Sequence, residues 1–130
     1  MYLIDSSLWI EYFRSKGSLV AKQRVREALY KEEAVCCGVV VVEILRGAKN
    51  DRDFDLLSSS LLALPQLPID EEVIKRAARW GYQLDRKGKN VSTTDLLIAS
   101  TAFKETVVLH ADSDFETIAS EVGLKQEKIL

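Results

Sequence analysis

The sequence predicts an α/β fold in which a central, mostly parallel sheet is flanked by helices. Short apolar runs alternate along the chain with segments at helical spacing, the order expected of parallel strands joined by helices. With 130 residues, 47% of them hydrophobic, the chain can bury a core of its own. No internal repeat or long linker divides it. We therefore expect a single domain over residues 1–130, with its sheet covered on both faces.

The first half of the chain predicts two strands and four helices. The apolar residues Tyr2 to Ile4 and Ala34 to Cys37 are typical of short strands. Each is followed by a change to helical spacing, and Gly38 marks the break in the second case. Residues 20–30 alternate apolar and charged side chains in the amphipathic helical pattern. The four helices are expected over residues 6–13, 20–30, 40–48 and 51–62, and the third of them is expected to end near Gly47.

The second half begins with the segment ALPQLPI, which its two prolines keep extended. A longer helix is expected over residues 70–87. The basic segment RKGKN that follows is expected to form a flexible loop. STTDLLIASTAF begins a buried helix with Thr93 or Thr94 as its N-cap. The strand TVVLHAD, the helix DFETIASEVG and a short final strand in LKQEKIL complete the chain. The apolar side of the long helix is expected to consist of Val73, Ile74, Ala77, Ala78, Gly81 and Leu84.

Five carboxylates follow these strands or lie near the starts of buried helices. Because ligands of parallel α/β sheets bind outside the carboxyl ends of the strands, we expect all five at one edge. Such a cluster cannot stay ionised without cations, and ligands that are all oxygens suit Mg²⁺ or Mn²⁺. The sequence therefore predicts a metal site formed by Asp5, Glu43, Asp95, Asp112 and Asp114.

Each aspartate also has a simpler explanation, as a cap or first-turn acid of a helix. Glu43 is harder to explain in this way, because it interrupts the apolar run VVVVEIL, where an unpaired carboxylate is costly. Pairing with Arg46, three residues further on, is the alternative. Surface pairs of this kind contribute only about 0.2–0.5 kcal/mol, too little to account for an apolar neighbourhood.

These motifs resemble those of PIN-domain ribonucleases, in the compact form of VapC-type toxins of bacterial toxin-antitoxin systems. LIDSSLWIEYF, VEILRGA, TTDLLIASTA and LHADSDFETIA match the family's four acidic motifs in order, from Tyr2 to about Ala119. The resemblance implies a three-layer PIN-like fold and RNA hydrolysis assisted by one or two Mg²⁺ or Mn²⁺ ions at the five acids. Which of Asp112 and Asp114 contacts the metal directly stays open. Ser6 and Thr94 are expected to support the acids by hydrogen bonds.

The resemblance also implies three partners: an RNA substrate, a cognate VapB-like antitoxin that places an arginine among the acids, and a second copy in a homodimer. The apolar residues of the first helices, including Trp9 and Phe13, are candidates for an interface, with core packing as the alternative. Basic residues near the motifs are candidates for RNA contact, namely Arg14, Lys16, Arg46, Lys49, Arg86, Lys87 and Lys89.

The composition favours a cytoplasmic protein with no membrane segment. No apolar run approaches the roughly 20 residues of a membrane helix, and MYLID lacks the features of a signal peptide. The adjacent Cys36 and Cys37 are typical of small buried residues in a reducing compartment. The net charge of −2 argues against a general nucleic-acid coat protein, although clustering of the acids would leave the remaining surface positive.

Two other functions fit part of the pattern. A phosphatase or aspartyl-phosphate signalling domain would usually have an adjacent pair of acids early in the chain, where LIDSS offers one. A non-catalytic interaction module would be expected to lose one or more of the acids. The only histidine, His110, cannot supply both the acid and the base of a metal-independent ribonuclease, and we expect it to be packed at its strand end.

Overall fold

The computed structural model describes all 130 residues and contains seven helices and five strands. In chain order the elements are β1 Tyr2–Ile4, α1 Ser6–Phe13, α2 Leu19–Tyr30, β2 Ala34–Cys37, α3 Gly38–Leu45, α4 Asp51–Leu62, β3 Gln66–Leu67, α5 Glu71–Arg86, α6 Thr93–Ala102, β4 Val107–His110, α7 Ser113–Glu121 and β5 Gln126–Lys128. None of these helices is long and apolar enough to cross a membrane.

The strands form one sheet in the order β3-β2-β1-β4-β5, and all four pairings are parallel. Successive residues of a strand point to opposite faces of its sheet. All four residues of β2 and three of the four residues of β4 are buried, so the helices must cover both faces. The predicted α/β fold with a central parallel sheet is confirmed.

The order of the strands creates a crevice beside the middle of the sheet. The chain passes from β1 to β2 and β3 on one side, and later forms β4 and β5 on the other. Ligands of such sheets bind at the carboxyl ends of the strands where the direction of winding changes, here between β1 and β4. Asp5 directly follows β1, and Asp112 comes two residues after the end of β4.

Close packing of α5 against α6 sets the position of the helix that carries Asp95. A Cβ atom at Gly81 would lie 2.9 Å from Cδ1 of Leu96, so a larger residue there would displace that leucine. Arg76 joins the two helices by donating from Nε to the Ser100 hydroxyl at 3.0 Å and from Nη2 to the Ser100 carbonyl at 2.7 Å.

The start of α3 differs from the prediction. This helix covers Gly38–Leu45 rather than 40–48, so Gly38 is its first residue and not a break before it. The change from strand to helix occurs at Cys37, whose backbone is still extended. Likewise α2 starts at Leu19, because Ser18 caps it by accepting the N–H of Ala21 at 3.3 Å.

The inward face of α5 also differs from the prediction at three positions, one of which is Ala78, which is exposed. Ile74 is 51% exposed, whereas Trp80 is buried and packs edge-on against Phe103, with ring centroids 5.0 Å apart. Trp80 was not among the residues predicted for this face. The buried residues of α5 form one helical stripe that contains Trp80 in place of Gly81, and its members are Val73, Ala77, Trp80 and Leu84.

Candidate metal centre

Three aspartates come together where α6 and α7 begin. Asp95, Asp112 and Asp114 each offer a carboxylate oxygen that lies within 4.8 Å of the others. Ser92 fixes the two helix starts relative to each other. Its backbone N–H donates to Asp114 Oδ2 at 3.0 Å, and its hydroxyl accepts the N–H of Asp95 at 3.1 Å. This acidic triad could hold a metal ion.

Asp5 is buried at the end of β1 and has one oxygen without a partner. Its Oδ2 accepts hydrogen bonds from the hydroxyl of Ser7 at 2.6 Å and from the Ser7 backbone N–H at 3.2 Å. Its Oδ1 is also buried but has no hydrogen-bond partner. A buried carboxylate oxygen is costly to leave unpaired, and a cation bound by oxygen ligands would satisfy it.

Ser7 links Asp5 to the loop that carries Asp112. The Ser7 hydroxyl donates to Asp5 and accepts the N–H of Ala111 at 3.0 Å. Ser7 was not among the predicted site residues. An available signal was the Asx turn, in which the side chain of an aspartate accepts the N–H of the second residue after it. Applied to Asp5, this rule gives Ser7 as the contacting residue.

Glu43 is the sixth of the eight residues of α3, and thus lies nearer to the end of this helix than predicted. It is half-buried, and its Oε1 accepts a hydrogen bond from the Ser6 hydroxyl at 3.1 Å, a contact of the predicted kind. Arg46 makes no direct ion pair with Glu43, although its positive charge opposes the rise in the pKa of Glu43. Like Asp5, Glu43 lies outside the group of three aspartates.

Burial and like charges raise the pKa of three of the acids. Burial is the largest cause at each. It raises the pKa of Asp95 to about 8, with Asp114, Asp5 and Asp112 adding to the effect. Burial also raises the pKa of Asp5 and of Glu43 against the opposing hydrogen bonds from the serines, and the charge of Asp112 raises both further. The five predicted acids are therefore electrostatically coupled, although only three lie within 4.8 Å of one another.

The ligand atoms on offer fit Mg²⁺ or Mn²⁺. All are carboxylate oxygens, which these hard cations prefer to nitrogen or sulfur. Asp112 uses Oδ1 to accept the N–H of Asp114 at 2.9 Å, and Asp114 uses Oδ2 to accept the N–H of Ser92. Each of the two keeps its other oxygen free of protein donors. A divalent cation would also offset the repulsion that contributes to the raised pKa of Asp95.

Ser92, and not Thr93 or Thr94, is the N-cap of α6. An N-cap hydroxyl accepts the backbone N–H two or three residues further on, and Asp95 is the third residue after Ser92. Thr94 instead places its hydroxyl 3.3 Å from the hydroxyl of Ser92 and bonds to no carboxylate. The prediction that Thr94 supports the acids directly is therefore wrong.

The histidine and the cysteines are packed in the interior. His110 is fully buried at the end of β4 and is hydrogen-bonded through both ring nitrogens, which confirms the predicted packing. Cys36 and Cys37 are buried free thiols. Burial raises the pKa of Cys36 to about 11 and that of Cys37 in the same direction, so neither is a reactive thiolate near neutral pH.

Three of the cations predicted to contact RNA are paired with acids of the chain, and the first is Arg14, which lies 3.2 Å from Glu11. Lys89 lies 2.7 Å from Glu121, and Lys87 pairs with the other oxygen of the same carboxylate. These contacts lower the pKa of Glu121 to about 2. Arg86 lies over the ring of Tyr82, 4.2 Å from its centroid. The loop after α5 is therefore tied to α7 by two ion pairs.

A cleft of about 910 Å³ opens beside Glu43 between α1, α3 and α4. Apolar side chains with substantial exposure line part of it, including Ile10 at 48%, Phe13 at 42% and Leu56 at 58%. Trp9, by contrast, is buried. The lining also includes three basic residues, Arg14, Lys16 and Lys49.

Comparisons with known proteins agree with these observations. A family model described as PIN domain matches residues 2–121. Ribonuclease VapC11 of Mycobacterium tuberculosis is 38% identical over 130 residues, which cover 96% of this chain and 96% of the relative. Ribonuclease VapC18 of the same organism is 27% identical over 135 residues, covering 100% of this chain and 96% of the relative.

Solved structures share the fold. VapBC from Salmonella typhimurium, solved with DNA bound, matches with a TM-score of 0.80 at 21% identity, covering 99% of this chain and 98% of that one. FitAcB from Neisseria gonorrhoeae matches with a TM-score of 0.78 at 20% identity, covering 97% and 96% of the two chains. At these identities the likeness concerns the fold alone.

Proposed function

The chain belongs to the PIN-domain family, and on this premise we propose that it is a metal-dependent endoribonuclease toxin restrained by a cognate antitoxin. One observation carries the proposal most directly. The edge of the sheet that collects five acids also buries an oxygen of Asp5 with no partner in the protein. An acidic cluster that served only to cap helices would have no need of such an unsatisfied oxygen.

We assign metal binding to Asp5, Glu43, Asp95 and at least one of Asp112 and Asp114, with one or two Mg²⁺ or Mn²⁺ ions as the cofactor. When bound, the metal lowers the pKa of a water molecule and stabilises negative charge on the leaving oxygen of the RNA. The protein contributes the arrangement of these oxygens. Ser7 and Ser92 hold Asp5 and Asp114 through one oxygen each, which leaves the second oxygen of each acid available to the cation.

The RNA would approach over basic residues that have no acidic partner. Lys16, Arg46 and Lys49 are of this kind, and two of them line the cleft beside Glu43. Lys87 and Lys89 are weaker candidates than the sequence indicated, because Glu121 neutralises them. An RNA substrate and two reduced thiols favour the cytoplasm as the site of action.

We place the antitoxin in the cleft between α1, α3 and α4. The exposed Ile10, Phe13 and Leu56 would receive an apolar segment of the partner. Because the cleft opens beside Glu43, an arginine at the end of that segment would reach the acids and satisfy them in place of a metal. The fold neighbour from Salmonella typhimurium named above is a VapBC structure, and VapBC is a family of toxin-antitoxin systems.

We further propose a homodimer for the chain on its own, and light scattering tests this together with antitoxin binding. At micromolar concentration the expected mass is twice the 14.6 kDa of the chain. Adding the antitoxin should increase the mass, and Phe13→Asp should weaken that increase while Tyr82→Asp, an equally exposed control outside the cleft, should not. A monomeric mass would contradict the dimer, and equal effects of the two variants would contradict the assignment of the cleft.

An RNA cleavage assay tests the proposed activity, with total cellular RNA as substrate since the target sequence is unknown. The parent should cleave in Mn²⁺ and stop when EDTA is added. Glu43→Gln removes a ligand charge while keeping the side-chain shape, and should lower the rate on the order of a hundredfold. Glu71→Gln, which removes an exposed carboxylate of α5 remote from the site, should cleave like the parent. Cleavage that persists in EDTA, or in Glu43→Gln, would count against the metal-dependent mechanism.

A further inference from the structure

His110 connects the edge strand of the sheet to the acidic cluster. It is the last residue of β4, and its side chain is shielded from solvent. Its Nδ1 accepts the backbone N–H of Asp112 at 3.2 Å. Its Nε2 lies 2.6 Å from Oε1 of Gln126, the first residue of β5. The ring therefore spans the distance between β5 and one of the metal-binding candidates.

These two contacts fix which ring nitrogen of His110 carries the proton. A backbone N–H can only donate, so Nδ1 must be the accepting nitrogen of a neutral imidazole. Nε2 then carries the hydrogen and needs an acceptor, which the Gln126 carbonyl supplies. If Nδ1 carried the proton, it and the backbone N–H of Asp112 would be two donors facing each other with no acceptor between them. With its carbonyl turned toward the ring, as it is here, Gln126 favours the same tautomer that the N–H of Asp112 requires.

The backbone around Asp112 is held at successive residues. The Ser7 hydroxyl accepts the N–H of Ala111 and His110 accepts the N–H of Asp112. The side chain of Asp112 has Oδ1 engaged by the N–H of Asp114. Its direction is thus determined by the backbone behind it, and its free oxygen is the one left to join the acidic triad.

We propose that His110 and Gln126 are positioning residues, and that Gln126, by selecting the tautomer of His110, sets the orientation of Asp112 and with it the affinity of the cluster for divalent cations. This inference rests on the proposed metal-dependent function. His110 is too deeply buried to touch RNA, so it acts through Asp112 alone.

A set of four variants of the full chain tests this, with Mn²⁺ affinity measured by calorimetry. Gln126→Met removes the acceptor and should weaken Mn²⁺ binding about tenfold, as loss of an outer hydrogen bond to a metal ligand commonly does. His110→Leu should do the same. His110→Asn should bind Mn²⁺ like the parent, because its Oδ1 can accept the N–H of the second residue after it without help from Gln126. Lys128→Met, on the same strand, is the matched control and should also bind like the parent.

Two further readouts separate positioning from a general structural role. Adding Gln126→Met to His110→Asn should cause no additional loss of affinity, since the acceptor at residue 110 no longer depends on a tautomer. In the ¹⁵N spectrum of the imidazole, the parent should show an unprotonated Nδ1 and a protonated Nε2, and Gln126→Met a mixture of the two tautomers. If Gln126→Met does not fold, the spectrum of the parent still tests the tautomer, since a proton on Nδ1 would overturn the proposal, and the contrast between His110→Asn and His110→Leu tests the acceptor.

The outcomes also separate this inference from the proposed function. If the parent binds Mn²⁺ and Asp95→Asn does not, but Gln126→Met and His110→Leu bind like the parent, the positioning role is wrong and the metal site stands. A loss in His110→Asn as large as in His110→Leu would equally overturn it, because packing rather than the acceptor would then matter. If the parent itself binds no Mn²⁺, the proposed function fails, and the positioning role fails with it.

Discussion

Asp95→Asn is expected to abolish Mn²⁺ binding and RNA cleavage while the fold persists. Asp95 lies within 4.8 Å of the oxygens of Asp112 and Asp114 and is electrostatically coupled to Asp5. Removing its charge takes away one ligand and makes the electrostatic potential at the cation site less negative. We therefore expect the affinity for Mn²⁺ to fall on the order of a hundredfold or more. The measurement is a calorimetric Mn²⁺ titration of the antitoxin-free protein, followed by the cleavage assay.

Asp70→Asn provides the matched control for this experiment. Asp70 is also an aspartate at a helix start, where it caps α5 by accepting the N–H of Val73 at 2.9 Å. It does not belong to the group of acids whose oxygens lie close enough together to share a metal ion, so its variant should bind Mn²⁺ like the parent. If Asp95→Asn and Asp70→Asn behave alike, the acids at the sheet edge are separate caps, and the nuclease proposal must give way to a non-catalytic module.

The metal-free protein is expected to lose stability as the pH rises from 5 to 8. The pKa of Asp95 is raised from 3.8 to about 8, so over this range the folded state retains a proton that the unfolded state has released. The contribution of Asp95 to the free energy of unfolding is fully present below its pKa in the unfolded state. This contribution is lost as the pH rises toward its pKa in the folded state. We expect the free energy of unfolding to fall by roughly 2 kcal/mol, about half of the linkage value, because water screens part of the cluster.

Urea unfolding in EDTA, followed by circular dichroism at several pH values, measures this effect. Asp95→Asn should flatten the dependence, since an amide does not titrate in this range. Saturating Mn²⁺ should restore the stability of the parent at pH 8 more than at pH 5. Glu121, whose pKa is lowered to about 2, contributes the same stability at every pH above about 4.5 and loses it only as the pH falls below that value, so it does not disturb the comparison. A parent whose stability stays level or rises between pH 5 and 8 would contradict the raised pKa of Asp95, which comes first from burial and then from the neighbouring acids.

The sequence predicted the fold class because its strands are short apolar runs and its helices carry regular apolar stripes. Element boundaries were less predictable where the deciding interaction is local and several residues could make it. Ser92, Thr93 and Thr94 all have the chemistry of an N-cap, and only the backbone path selects Ser92. Similarly, Gly38 is compatible with both a break and a first helical residue, and the extended backbone of Cys37 decides between them.

The acids of the candidate site could be predicted, but not most of the groups that hold them. An acid at a strand end follows a topological rule, which is how Asp5 and Asp112 were found. The contact from Ser7 to Ala111 joins residues 104 positions apart, and that from Ser92 to Asp114 joins residues 22 apart. No spacing pattern encodes such contacts, because they depend on how β1 meets β4 and how α6 lies beside α7. The pairing of Lys87 and Lys89 with Glu121 was hidden for the same reason.

The strand order also has a consequence during synthesis. β1 emerges first from the ribosome, yet it pairs with β4, which is made almost last, and Asp5 is joined through Ser7 to residues after β4. A nascent chain that lacks this final portion holds Asp5, Glu43 and Asp95 but neither Asp112 nor Asp114. Such a chain lacks two of the three aspartates of the acidic triad. The proposed metal site is therefore completed only when translation is nearly finished.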